Sequence, residues 1–206
     1  ESVLGKTKSK YKYQLTGVMA PCDGCMRAKA QAKAVPKTVK SEATKPGERL
    51  FLDSSGPFEP LVGGSVYDTK LVDQYSRKAW TSHLKKKSQV PEEVESLVIK
   101  LKAKGIDVKY IRCDNAGEQG PQLHKLCGQL GIEVEYTAPN TPQQNGVVGR
   151  KIVTDRNRSH AMLISARLTP KAKNLLRAEA ESTATLLSNM ASKTRAAASH
   201  RMFYSK

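Results

Sequence analysis

Two aspartates, Asp53 and Asp114, stand where apolar stretches of the chain end, in LFLDSS and YIRCDN. A carboxylate after an apolar strand is a common turn residue, so each aspartate alone is compatible with a structural role. If the two strands are neighbours in one sheet, both carboxylates emerge at the same edge. Hard oxygen ligands of this kind select Mg²⁺ or Mn²⁺, and paired metals activate an attacking oxygen in phosphodiester chemistry. Such sites ordinarily require a third carboxylate.

The elements that must position these aspartates are predicted from local patterns. In residues 49–55, Leu50 and Leu52 alternate with Phe51, which predicts a strand that ends before Gly56-Pro57. Residues 65–87 predict two strands joined near 74–77. The next stretch, SQVPEEVESLVIKLKAKG, has apolar residues every three or four positions. It predicts a helix that Ser88 caps and Gly105 ends.

The rest of the middle segment continues the alternation. IDVKYIRCDN predicts a strand, PQLHKLCGQLG a short helix closed by Gly131, and IEVEYTA another strand. The predicted fold class is therefore α/β, a mixed sheet layered with helices. A helix is predicted from residue 146, and a further single helix from Pro170. One face of the first of these helices carries Val148, Ile152, Arg156 and Ser159.

Charge is unevenly distributed along the 206 residues, which carry a formal net charge of +16. Residues 1–50 hold 11 Lys and Arg against 4 acids, residues 51–145 hold 12 against 12, and residues 146–206 hold 12 against 3. Two basic segments around a neutral middle favour a polyanionic partner, although exposed basic helices are a structural alternative. The length suits one domain with extensions, and the start at Glu1 without a methionine predicts a piece excised from a longer chain.

No stretch approaches the roughly 18 apolar residues of a membrane span, and no signal peptide opens the chain, so we expect no membrane partner and an intracellular location. Cys22 and Cys25 form a C-x-x-C pair, but all four histidines lie downstream of it. Zinc needs four ligands, so the pair is at most half of a site. Cys113 and Cys127 are expected to be buried small apolar residues.

Four segments resemble, in order and spacing, the catalytic core of the integrase encoded by copia-type retrotransposons, a member of the ribonuclease H-like superfamily. They are LFLDSSGPF, VDQYSRKAW followed by LKKKS, IRCDNAGE, and YTAPNTPQQNGVVGRK. The resemblance implies a mixed five-stranded sheet flanked by helices, with a basic N-terminal linker and C-terminal helices. It divides the chain into a zinc-knuckle remnant with linker (1–46), a catalytic core (47–168) and a C-terminal helical extension (169–206).

The resemblance also implies an activity. The family holds two divalent metals, Mg²⁺ or Mn²⁺, with an Asp, Asp, Glu triad and joins element DNA to target DNA. Asp53 and Asp114 match the two aspartates, but Gly149 stands at the position of the glutamate. Glu118 has its own place in the family motif, and Asp155 lies about 240° around the helix from residue 149. We therefore expect DNA strand transfer to be weak or absent, and the alternative function is a non-catalytic nucleic-acid-binding remnant.

The family's partners are DNA, both element ends and target, and further copies of the integrase, and the nucleus is its expected location. Amides can bond bases or phosphates, and cations neutralise phosphates. The predicted DNA-facing residues are Gln143, Gln144, Asn145, Arg150, Lys151, Arg156 and Arg158. Cys22 and Cys25 resemble the second half of the family's zinc knuckle, so zinc is expected only in a longer chain. Arg177 stands where the family commonly has tryptophan, which we interpret as a second sign of decay.

Overall fold

The computed structural model describes residues 42–114, 120–137, 146–191 and 198–204. All of them belong to one compact unit, residues 37–206. Several predictions concern residues outside these ranges: Cys22, Cys25, the linker up to residue 41, Glu118, Gln143, Gln144 and Asn145.

A five-stranded sheet forms the centre of the described chain. Its strands are β1 (Arg49–Ser55), β2 (Tyr67–Asp73), β3 (Ala79–Leu84), β4 (Tyr110–Cys113) and β5 (Glu133–Tyr136). The strand order is β3-β2-β1-β4-β5. The first three strands pair antiparallel, whereas β4 lies parallel to both β1 and β5. This mixed sheet confirms the predicted fold class.

Helices cover both faces of the sheet. Within the described ranges they are α1 (Val90–Lys102), α2 (Gly120–Gln129), α3 (Gly146–Ser165), α4 (Pro170–Leu175), α5 (Arg177–Met190) and α6 (Ser199–Tyr204). Alternation along β1 separates the two faces: Leu50 and Leu52 pack into the core with α1 and α2, whereas Phe51 packs against Val148 of α3. Cys113 and Cys127 are buried in the first of these cores, as predicted.

Two predicted helix features differ in the structure. Ser88 does not cap α1, because the helix begins at Val90 after a single 3₁₀ turn at Lys87–Gln89. The Gln89 side chain, which accepts hydrogen bonds from the backbone N–H groups of Lys85 and Lys86, organises this entry instead. The single helix predicted from Pro170 is broken at Leu176, where φ is −92° and ψ is 10°. The residue after the break, Arg177, is held by acidic partners on β2 and α5.

The end of α1 follows the sequence prediction more closely. Gly105 adopts a left-handed backbone with φ of 73°, which favours glycine, and its N–H bonds the carbonyl of Lys102. The chain then turns directly into β4. This turn sets the start of the strand that ends at Asp114.

Candidate active site

The two aspartates lie at the carboxyl ends of neighbouring parallel strands. The register of β1 and β4 pairs Arg49 with Tyr110 and Phe51 with Arg112. Two residues further along each strand, the same register brings Asp53 opposite Asp114. Both side chains line one cleft, together with Lys87 and Tyr136. The local alternation that buries Leu52 and Cys113 thus leaves the next residue of each strand at the rim of this cleft.

The electrostatics of this cleft favour a bound cation. Asp53 is half-buried, and burial followed by repulsion from Asp114 raises the pKa of its carboxyl group. Lys87 and Arg156 act in the opposite direction. Two carboxylates that repel each other in a partly buried cleft provide hard oxygen donors for a divalent metal.

Position 149 lies in the first turns of α3, next to the buried Val148. A Cβ atom added to Gly149 would meet nothing within 4 Å, so the helix has open space at this position. Arg156 lies seven residues further along and therefore on nearly the same helix face. Its guanidinium donates to Ser55 Oγ at 3.2 Å, two residues beyond Asp53. A side chain from the helix face that carries Gly149 thus reaches the end of β1, where Asp53 lies.

The cationic residues predicted to face DNA divide into two groups. Arg150 is exposed, and the Arg156 side chain is 42% exposed. Lys151, in contrast, is largely enclosed, with Nζ 3.7 Å from Asp155 Oδ1, and desolvation lowers its pKa. Arg158 donates to Ser188 Oγ of α5. Lys151 and Arg158 therefore contribute to contacts within the fold. Arg156 does so too, through Ser55 and through Glu181 Oε1 3.8 Å away, but its side chain stays 42% exposed, and Arg150 is exposed as well.

Asp155, the nearest acid downstream of position 149, is engaged inside the fold. It is fully buried, and its Oδ2 lies 2.6 Å from Nζ of Lys70 on β2. Ser188 donates to its Oδ1 at 2.5 Å. Because Lys70 is the cross-strand partner of Asp53, this ion pair lies beside the cleft, but its carboxylate is already satisfied by neighbours. Asp155 is therefore unavailable as a third metal ligand.

A second acidic cluster consists of Asp68, His83 and Glu181, whose ligand atoms lie within 4.8 Å of one another. Arg177 supplies the cation here: its Nη1 bonds Asp68 and lies 3.3 Å from Glu181 Oε1. Although burial raises the pKa of Asp68, hydrogen bonds from His83 and Arg177 hold it below its usual value. The guanidinium of Arg177, together with that of Arg156 3.8 Å from Glu181 Oε1, thus balances the two carboxylates of this cluster, which does not suit an additional metal ion.

Arg177 also has a defined packing position. Its side chain is 17% exposed, and its guanidinium carbon lies 4.3 Å from the centre of the Phe58 ring. The charge of Arg177 is thus paired with two acids and stacked on an aromatic ring, which gives this residue a structural role, and its interpretation as a sign of decay stays a prediction. Its partners lie 109 and 4 positions away, so only the nearer one was visible in the sequence.

Lys87 is a cleft residue that the sequence analysis did not single out. It belongs to the 3₁₀ turn before α1 and lines the cleft with Asp53 and Asp114. The run of three lysines after β3 was the available signal. Spacing alone does not distinguish which of the three turns toward the carboxylates, because a short 3₁₀ turn sets that direction.

The sheet order and helix placement are those of an integrase catalytic core. The match to a chain in the cryoEM structure of the simian T-cell lymphotropic virus intasome in complex with PP2A regulatory subunit B56 gamma covers 90% of this chain and 64% of that chain, with a TM-score of 0.66 and 18% identity. The HTLV-2 integrase catalytic core domain in complex with magnesium matches 79% of this chain and 99% of its own, with a TM-score of 0.57 and 14% identity. The BIV integrase catalytic core gives a TM-score of 0.54 at 17% identity over 76% of this chain and 93% of its own.

Sequence similarity relates the chain to a mobile element. Over 169 residues, 81% of this chain, it is 32% identical to the retrovirus-related Pol polyprotein from transposon TNT 1-94 of Nicotiana tabacum. It is therefore homologous to a retrotransposon Pol polyprotein and has an integrase-like catalytic core. The chain spans 13% of that polyprotein's length. No protein-family model matches the chain.

Proposed function

We propose that this chain is a DNA-binding integrase core of a retrotransposon in which strand transfer is lost because residue 149 is a glycine. The observation that carries the proposal is the combination of two aspartates at one sheet edge with open space at a glycine on α3, the helix whose Arg156 reaches the same edge. Asp53 and Asp114 line the cleft, and nothing lies within 4 Å of a Cβ atom at position 149.

The residues present fit one divalent cation better than two. Asp53 and Asp114 would hold it, and its charge would relieve the repulsion that raises the pKa of Asp53. When bound, such a cation supplies the positive charge that activates an attacking oxygen in phosphodiester chemistry. A second cation of the same kind needs a further carboxylate, and Asp155 is occupied by Lys70.

DNA would approach along the rim of the cleft. Arg156 lies close enough to Asp53 to lower the pKa of its carboxyl group, and Arg150 is exposed on the same helix. These two cations would contact phosphates next to the carboxylates, and Lys87 would add a third charge inside the cleft. Repeated phosphate contacts of this kind make binding strongly dependent on salt.

Metal-dependent DNA joining tests the proposal. The chain, Gly149→Glu and Gly149→Gln would be compared at equal protein concentration with Mn²⁺ or Mg²⁺, a labelled duplex and a plasmid target. The glutamine variant is the matched control, because it fills the same space without adding a carboxylate. We expect joined product from Gly149→Glu alone, and none when Asp53→Asn is added to it.

Either of two results would contradict parts of the proposal. Joining by the unaltered chain would show that Gly149 does not abolish the reaction. Joining by Gly149→Gln would show that filled space, not a metal ligand, is what the position requires.

A second candidate function is non-catalytic nucleic-acid binding, which the exposed Arg150 and the partly exposed Arg156 favour. This second function is supported over the first if Gly149→Glu gives no joined product while the unaltered chain binds duplex DNA. Arg156→Ala should then weaken that binding and reduce its dependence on salt concentration.

A further inference from the structure

A group of cations lies at the end of the sheet opposite to Asp53. The register pairs Asp73, the last residue of β2, with Leu50 near the start of β1. The turn from β2 into β3 therefore lies far along the strands from the carboxylate cleft. Lys78 ends this turn, and Lys104 follows α1. His200 on α6 completes the group.

Lys78 is an enclosed cation. It is 6% exposed, and its Nζ lies 4.8 Å from the centre of the Tyr204 ring and 5.5 Å from that of Trp80. None of the ion pairs found within the described ranges involves it. Burial, followed by repulsion from Lys104, lowers its pKa to about 8.

The two other members of the group lie beside the same aromatic ring. Lys104 Nζ lies 4.6 Å from the centre of the Tyr204 ring, and the His200 ring lies 4.8 Å from it. Burial, followed by Lys78 and Lys104, lowers the pKa of His200. Cation–π contacts offset part of this repulsion but do not cancel charge. The group thus has a positive potential that an anion would relieve.

Two adjoining clefts give access to the two lysines of this group, and Tyr204 and Lys104 line both. His200 lines neither cleft and joins the group through its contact with the Tyr204 ring. The larger, about 430 Å³, also exposes Lys78 and Lys100. The smaller, about 220 Å³, adds Lys45. Each cleft has one acid: Glu93, whose Oε2 accepts a hydrogen bond from Ser82, and Asp107. The cations therefore outnumber the acids in the larger cleft and across the pair.

We propose that Lys78 and Lys104 form a phosphate-binding site beside Tyr204, with His200 packed on the same ring. Phosphate oxygens accept charge-assisted hydrogen bonds from ammonium and imidazolium groups, and the enclosed Lys78 would give such a bond a low-dielectric setting. The ligand's phosphate could come from a small polyphosphorylated compound or from a DNA backbone. The site is independent of strand transfer, because it shares no residue with the Asp53 cleft.

Calorimetric titration of the full chain with inorganic pyrophosphate at low salt tests the site. Lys104→Ala is compared with Lys102→Ala, the matched control. Lys102 is also exposed and two positions away, but lines neither cleft. We expect saturable binding that Lys104→Ala weakens about tenfold, as loss of one charge-assisted contact would, and that Lys102→Ala leaves unchanged. No saturable binding, or equal weakening by both variants, would overturn the proposal.

The His200 ring provides a second readout that does not depend on a variant folding. In NMR titrations of the unaltered chain, saturating pyrophosphate should raise the pKa of His200, because a nearby anion favours the imidazolium. An unchanged pKa would count against the site. If a short duplex raises it too, a DNA phosphate is the ligand's source. If only pyrophosphate raises the pKa of His200, the phosphate comes from a small phosphate compound.

Discussion

The register of two parallel strands brings Asp114 opposite Asp53. The burial of Asp53 raises the pKa of its carboxyl group, and the charge of Asp114 raises it further. This relationship depends on register alone: the strands pair through Phe51 and Arg112, and each strand then reaches an aspartate two residues later. The pair is therefore built into the sheet, whatever residue stands at position 149.

Metal affinity should follow from this pair. We expect the chain to bind Mn²⁺ weakly through Asp53 and Asp114, and Gly149→Glu to tighten binding about tenfold by adding one carboxylate ligand. Gly149→Gln should leave it unchanged. A Mn²⁺ titration monitored by electron paramagnetic resonance would measure the Mn²⁺ affinity of each variant. If Asp53→Asn binds as the unaltered chain does while Asp68→Asn loses binding, the metal occupies the Arg177 cluster and our assignment is wrong.

The buried Lys70–Asp155 pair between β2 and α3 should contribute strongly to the free energy of unfolding. Asp155→Ala leaves Lys70 buried without its partner 2.6 Å away, and we expect a loss of about 3 kcal/mol in the free energy of unfolding. Urea unfolding would measure it. The double variant Lys70→Met with Asp155→Leu should recover most of the loss, because the buried Lys70 ammonium is then removed together with its partner. A single-variant loss below about 1 kcal/mol, the range of exposed pairs, would contradict this account.

Local patterns predicted the sheet because they depend on neighbours in sequence. Leu50 and Leu52 alternate with Phe51, and this period of two assigns the faces of β1 before any partner is known. Lys151 was assigned to DNA, although Asp155 four positions later was a visible helical partner. That contact could have been predicted.

Long-range contacts explain the features that the sequence did not predict. The break at Leu176 precedes Arg177, whose acid on β2 lies 109 positions away. Likewise, Lys78 and Tyr204 meet only because α6 returns to the sheet. Nothing in the spacing of these residues indicates such contacts, since they arise from packing between distant elements.

Glu48 should make stability depend on acid pH. Hydrogen bonds from the Thr44 backbone and side chain lower its pKa from 4.5 to about 2. A lowered carboxyl pKa stabilises the fold fully above the unfolded value and loses this effect as pH falls toward the folded value. Glu48→Gln should therefore destabilise by about 1 kcal/mol at pH 6, a value discounted for solvent screening, and the difference should vanish near pH 2. Unfolding curves of Glu48→Gln and the unaltered chain at both pH values would measure this difference in stability. A difference that does not change with pH would contradict the lowered pKa of Glu48.

Arg177 should stabilise the fold through its two acids. Replacing it by Met removes one of the two partners, His83 and Arg177, that hold the pKa of Asp68 down, and leaves Asp68 and the buried Glu181 beside each other. We expect a loss of about 2 kcal/mol near pH 7 in chemical unfolding. Because a depressed pKa contributes only above the unfolded value, the loss should shrink as pH falls below about 4. Arg177→Trp provides the sharper comparison, since it offers the ring that the integrase family commonly carries there. If Arg177→Trp is as stable as the unaltered chain while Arg177→Met is not, packing on Phe58 matters more than charge. If both variants lose stability alike, the ion pairs with Asp68 and Glu181 are what Arg177 contributes.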